Sequence, residues 1–142
     1  MPSRMMLKLA RYALVFAGGI GIGMLAHHLR STRVHPHAFV FIVRLKFKPG
    51  AVTAFVERWA ALASHCRQSE ENTLTYELCY DLADEDTVMI YERYCSKADL
   101  TNIHNKSAPF ARLNRWLASA NIVLEREVLE YQESNIGYIV RR

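Results

Sequence analysis

The 142 residues, 16.3 kDa in mass and 51% apolar with a mean hydropathy of −0.05, suit one globular domain and exclude a polytopic membrane protein. The pI of 9.1 is no sign of nucleic-acid binding: Arg4, Lys8, Arg11, Arg30, Arg33, Arg44, Lys46 and Lys48 all precede the first acid, Glu57, and ten basic and fourteen acidic residues share the rest. The basic residues flank an apolar segment instead of alternating with stacking aromatics, which fits membrane attachment or organelle import.

After a basic flank, residues 1–11, residues 12–29 carry no formal charge and span about 27 Å as a helix, close to hydrocarbon thickness. They are apolar all round, unlike an amphipathic presequence, and long for a secretory signal, so a single N-terminal transmembrane helix is expected. Gly19 and Gly23 lie four apart on one face of it, where another helix can pack closely. Basic residues on both sides leave its orientation open. His27, His28, His35 and His37 follow without a carboxylate or cysteine, and are read as a solvated interfacial cluster in and around the linker 30–37.

From Ala38 the pattern becomes that of a strand, with Phe39, Phe41, Val43, Leu45 and Phe47 on one face, up to Pro49-Gly50. Val52, Phe55, Val56, Trp59, Leu62, Ala63 and Cys66 then recur at helical spacing, predicting a helix over 52–67 that buries Trp59. Leu74 to Leu82 and Thr87 to Cys95 read as a hairpin around the solvated turn Ala83-Asp84-Glu85-Asp86. Ser96 and Asp99 form a capping box for a short helix that Pro109 interrupts before it resumes over 110–118 with Trp116 in the core, and Ile122 to Tyr131 is the last strand. The order β-α-β-β-α-β predicts a ferredoxin-like α+β domain over 38–131, with both helices on one face of an antiparallel sheet and a partner sheet on the other, followed by a tail, 132–142. Ile136, Tyr138, Ile139 and Val140 make that tail a surface to be covered by a partner. Cys66, Cys79 and Cys95 are odd in number with no C-x-x-C pair, which argues for reduced packing residues and against a disulfide framework or metal site. Glycine-rich phosphate loops, nucleophile elbows and paired-histidine motifs are absent from the sequence.

Residues 39–131 resemble the antibiotic biosynthesis monooxygenase-like family, the dimeric α+β barrels. The segments that carry the resemblance are Val43-Arg44-Leu45-Lys46-Phe47-Lys48-Pro49-Gly50 with Phe55, Leu74-Thr75-Tyr76-Glu77-Leu78, Tyr91-Glu92-Arg93-Tyr94, and His104-Asn105-Lys106-Ser107-Ala108-Pro109-Phe110. The resemblance implies half of a two-sheet barrel and, for some members, cofactor-independent oxygenation of aromatics or haem degradation. It implies a site histidine at His104, an iron ligand in the haem degraders, and recurrent glutamates at Glu77 and Glu92. Either glutamate is a base candidate if it faces a dry cavity, and otherwise a partner for basic residues such as Arg44 or Arg93 across the sheet or the dimer. The first strand lacks the asparagine of the haem relatives, and Tyr94 replaces the tryptophan many relatives place there, so no cofactor is expected, with haem on His104 the exception.

Two functions follow as expectations. The first is a non-catalytic accessory subunit of a mitochondrial inner-membrane, respiratory-type complex, anchored by one helix and partnered by other subunits or a second copy of the domain. The alternative is a membrane-tethered cofactor-independent monooxygenase, or a haem-binding or haem-degrading enzyme, acting on a lipophilic aromatic such as a quinone.

Overall fold

The computed structural model describes residues 37–137. The expected helix over 12–29, its Gly19 and Gly23, His27, His28, His35 and the end of the tail lie outside the described residues. Among those described, no helix is long and apolar enough to cross a membrane.

Strand β1 is Phe39–Phe47 and helix α1 is Val52–Ser69. Gly50 turns the chain between them at φ 76°, in the left-handed region that a side chain disfavours, and its N–H donates to Asp86 Oδ1 at 2.8 Å. Val52, Phe55, Trp59, Leu62 and Cys66 form the buried stripe of α1. Strands β2, Thr73–Tyr80, and β3, Thr87–Tyr94, make the expected hairpin. Leu82, assigned to β2 by alternation, is fully exposed and stands in the turn instead, where Asp81 accepts from the Ala83 N–H at 2.9 Å. Asp84 anchors this turn to β1: Lys46 Nζ approaches both its oxygens at 2.6 Å and the Thr87 hydroxyl donates at 2.7 Å, holding the carboxyl down to about 2.

Helix α2, Lys97–Asn102, starts on the expected capping box, with Ser96 Oγ accepting from the Asp99 N–H and donating to Asp99 Oδ2 at 2.6 Å. A 3-10 turn, His104–Lys106, follows, and α3 is Ala108–Ala120. Pro109 does not interrupt a helix. It sits in the first turn of α3, where its missing N–H costs nothing, and Ser107 Oγ caps that turn by accepting from the Phe110 N–H at 3.3 Å. Strand β4 is Val123–Gln132.

The sheet runs β2-β3-β1-β4, antiparallel throughout, which is the ferredoxin-like order. Val43, Leu45, Phe47, Val88 and Ile90 point from it into the core shared with α1 and with Leu113 of α3. The opposite face has a cross-strand row, Glu77, Tyr91, Ile42 and Leu129. Strand β4 is exposed over nearly its whole length, Leu124, Val128, Leu129 and Tyr131 included. Arg44 and Arg93 do not pair with Glu77 or Glu92. Arg44 reaches Asp81 at 3.2 Å, and Arg93 reaches Glu133 just beyond β4 at 2.6 Å. Their partners lie at strand ends, which strand alternation alone does not place.

Candidate functional site

Alternation along the strands puts Tyr76, Glu92 and Phe41 in one row across the helix-facing side of the sheet. Above it lies a cavity of about 360 Å³, walled by apolar and aromatic side chains: Phe55 and Trp59 from α1, Phe110, Leu113 and Leu117 from α3, and Val43, Leu45 and Ile90 from the sheet. Its aromatic wall is ordered by ring contacts. Trp59 stacks on Tyr76 at 5.1 Å, and His104 meets Tyr76 at 5.1 Å and the edge of Phe110 at 4.9 Å. The exposed side chains of Asn105, Asn114 and Arg126 mark its rim.

Two buried polar groups enter this apolar space. Glu92, 4% exposed, follows Val88 and Ile90 in phase along β3 and so projects inward. Burial pushes its carboxyl up to about 7, against the opposing pull of the Tyr94 hydroxyl, which donates to Oε2 at 2.6 Å. Tyr94 is itself fully buried, and burial next to Glu92 pushes its phenol far up, so that it acts only as a neutral donor.

His104, 1% exposed, is held by the 3-10 turn against the C-terminal end of α1. Its Nδ1 lies 3.0 Å from Glu70 Oε2. Burial pushes the Glu70 carboxyl up, but hydrogen bonds from His104 and from the Thr73 hydroxyl, the latter at 2.8 Å, outweigh it and hold Glu70 below its ordinary value. A carboxylate only accepts, so Nδ1 carries the ring proton in this pair, and Nε2 is left buried in the cavity wall without a hydrogen-bond partner. The Glu70 carboxylate thus fixes the tautomer and orientation of the His104 ring beside the cavity.

The structure therefore brings together two of the three residues named from sequence, Glu92 and His104. Glu77 is exposed on the opposite face of the sheet beside Tyr91. Sequence reading missed Glu70, Tyr94 and the rim residues. The signal for Glu70 was present, an acid four residues beyond Cys66 on the buried stripe of α1, once the helix is carried past Arg67 to Ser69. Cys66 is a buried thiol, as expected, but it is also 3.5 Å from His104 Nδ1.

Residues 38–116 match the family described as antibiotic biosynthesis monooxygenase. Among solved structures, a Pseudomonas aeruginosa protein is 20% identical with a TM-score of 0.62, the alignment covering 71% of this chain and 98% of that one. A candidate antibiotic biosynthesis monooxygenase from Nitrosomonas europaea is 19% identical with a TM-score of 0.64, over 72% of this chain and 96% of that one. A conserved Methanosarcina mazei protein is 19% identical with a TM-score of 0.60, over 73% and 96%. No curated protein matches the chain. At these identities the structural likeness is one of fold, whereas the family match spans more than half of the residues: the chain belongs to the antibiotic biosynthesis monooxygenase family.

Proposed function

We propose that this domain is a cofactor-independent monooxygenase for a compact, electron-rich aromatic such as a quinol. The observation that carries the reading is Glu92, a buried carboxyl pushed up to about 7 in the floor of an aromatic cavity that His104 also lines. Stacking against Trp59, Tyr76 and Phe110 suits a planar ring, and the cavity volume lies at the small end of ligand sites. A porphyrin with two propionates needs more room and paired cations, while among the described residues Arg126 is the one lysine or arginine on the lining.

In this mechanism Glu92 removes a hydroxyl proton, raising the electron density of the ring. The ring then passes an electron to dioxygen, and the two radicals join in a carbon–oxygen bond. Loss of the proton at that carbon to the base and cleavage of the oxygen–oxygen bond complete the reaction. Quinol plus dioxygen gives hydroxyquinone plus water: four electrons leave the ring, one oxygen stays on carbon and the other leaves as water. Dioxygen is the oxidant and no further reductant is needed. Oxygen uptake by the full chain across a series of quinols tests the proposal. Uptake that depends on Glu92 supports it, and absence of uptake with every quinol refutes it.

The acid-free basic stretch before Glu57 and the uncharged residues 12–29 support a membrane location, and the mitochondrial inner membrane would supply lipophilic quinols. The same features support a second reading, an accessory subunit of a membrane complex in which the cavity is a relic. Migration of the native protein in mild detergent separates the two: a large assembly without quinol-dependent uptake favours the subunit. In either reading the open row of Tyr91, Ile42 and Leu129 and the exposed β4 suit a second copy of the domain, closing a barrel.

A further inference from the structure

The last turn of α1 and the 3-10 turn bring a thiol, a carboxylate and an imidazole nitrogen to one buried point. Cys66 and Glu70 are four residues apart on one helix face, and His104 meets them from across the fold. His104 Nδ1 lies 3.5 Å from Cys66 Sγ and 3.0 Å from Glu70 Oε2, and the three donor atoms lie within 4.8 Å of one another. All three residues are buried, at 1%, 5% and 1% exposure for Cys66, Glu70 and His104. Around tetrahedral zinc, with bonds of about 2.3 Å to sulfur and about 2.0–2.1 Å to nitrogen and oxygen, donors stand about 3.6 Å apart for nitrogen and sulfur and about 3.4 Å for nitrogen and oxygen. The first separation is already met, and the second needs an opening of a few tenths of an ångström.

We infer that Cys66, Glu70 and His104 form a site for zinc or a similar divalent transition metal, bound through Sγ, a Glu70 carboxylate oxygen and Nδ1. Three further observations support it. The mixed sulfur, nitrogen and oxygen donor set suits zinc and disfavours magnesium or calcium, which take oxygen ligands. Glu70 Oε1 is buried without a hydrogen-bond partner, an orphan acceptor that a cation would satisfy. Finally, a dication balances one thiolate and one carboxylate, leaving the buried site neutral. His65, whose side chain is 32% exposed, has its Nε2 3.7 Å from Glu70 Oε1, on the solvent side of the three ligands by its exposure.

This inference does not rest on the oxygenase reading, but it bears on the same cavity. A metal on Nδ1 would leave the ring proton on Nε2, the buried ring atom without a hydrogen-bond partner.

The test is metal binding by the purified full chain, stripped of metal and reloaded with cobalt or zinc. One equivalent is expected, with a thiolate-to-cobalt charge-transfer band and tetrahedral ligand-field absorption. The sulfur signature separates this site from His27, His28, His35 and His37, which contain no thiol. Cys66→Ser abolishes the band and lowers zinc affinity by more than about 100-fold, beyond the usual cost of altering an outer-shell partner. Cys79→Ser and Cys95→Ser leave both intact. X-ray absorption of the zinc-loaded wild-type chain decides the matter even if Cys66→Ser does not fold: one sulfur at about 2.3 Å supports the site. A shell of nitrogen and oxygen alone, or no charge-transfer band in folded wild-type protein, overturns it.

Discussion

The Tyr94 hydroxyl and the Glu92 carboxylate, two residues apart on one strand, share a 2.6 Å hydrogen bond inside an apolar wall. The bond stabilises the ionised form of an acid that burial disfavours, and so sets how far Glu92 rises. Tyr94→Phe removes that stabilisation with little change of shape. The Glu92 carboxyl is expected to titrate higher still, the acidic limb of any Glu92-dependent rate profile to move to higher pH, and the fold to lose about 1–3 kcal/mol at pH 8. Infrared or NMR titration of the carboxyl, with denaturant unfolding beside it, checks both effects.

Stability should also depend on pH in a direction set by Glu92. Its folded value, about 7, lies above the ordinary carboxylate value, so between them the native state binds more protons than the unfolded chain. Stability contributed by protonated Glu92 is therefore present at low pH and declines between about pH 4.5 and 7, by about 3 kcal/mol. Glu70 acts in the opposite sense: its lowered value contributes stability above its unfolded value that is lost on acidification. Glu92→Gln is expected to remove the decline toward neutral pH and to be more stable than the parent at pH 8. Urea unfolding of parent and variant from pH 5 to 8 measures the difference, and parallel curves would contradict the assignment.

Leu129 and Tyr91 share the open cross-strand row with Ile42 between them. With a second copy on this face, Leu129→Glu places a charge in the contact and should convert a dimer to a monomer by analytical ultracentrifugation, leaving the monomer fold intact because Leu129 is 37% exposed there. An unchanged sedimentation coefficient would place the contact elsewhere.

The volume of the cavity and Arg126 as the one lysine or arginine on its lining among the described residues predict no stoichiometric haem site. Titrating the full chain with haem should give no Soret band beyond that of free haem, and the same result with His104→Ala. A saturable band lost in His104→Ala would revive the haem reading.

The element order and the two inward faces were legible in the sequence because they rest on the 3.6 and 2 residue periods of α1 and the strands. Alternation alone set Glu77 opposite Tyr76, and the fold keeps it there, away from the cavity. Glu92 and His104 were visible through the family resemblance, but their setting was not. Glu70 stands 34 residues before His104, and only the two further residues at the end of α1 and the 3-10 turn after α2 bring them together. Pro109 was misread because a proline inside an apolar pattern signals a break equally whether it ends one helix or opens the next; Ser107, its capping neighbour, decides for the second. Arg44 and Arg93 went astray because long side chains reach past their cross-strand neighbours to turns and strand ends.

The central claim, that Glu92 is the base of a cofactor-free oxygenation, is tested most directly by turnover of a quinol under ¹⁸O₂ with metal-free wild-type protein and Glu92→Gln. The account predicts one labelled oxygen in the hydroxyquinone and one in water for the wild type, with the rate falling by about 10²–10⁴-fold in Glu92→Gln at pH 7. Product without label, or a variant as fast as the parent, would contradict it.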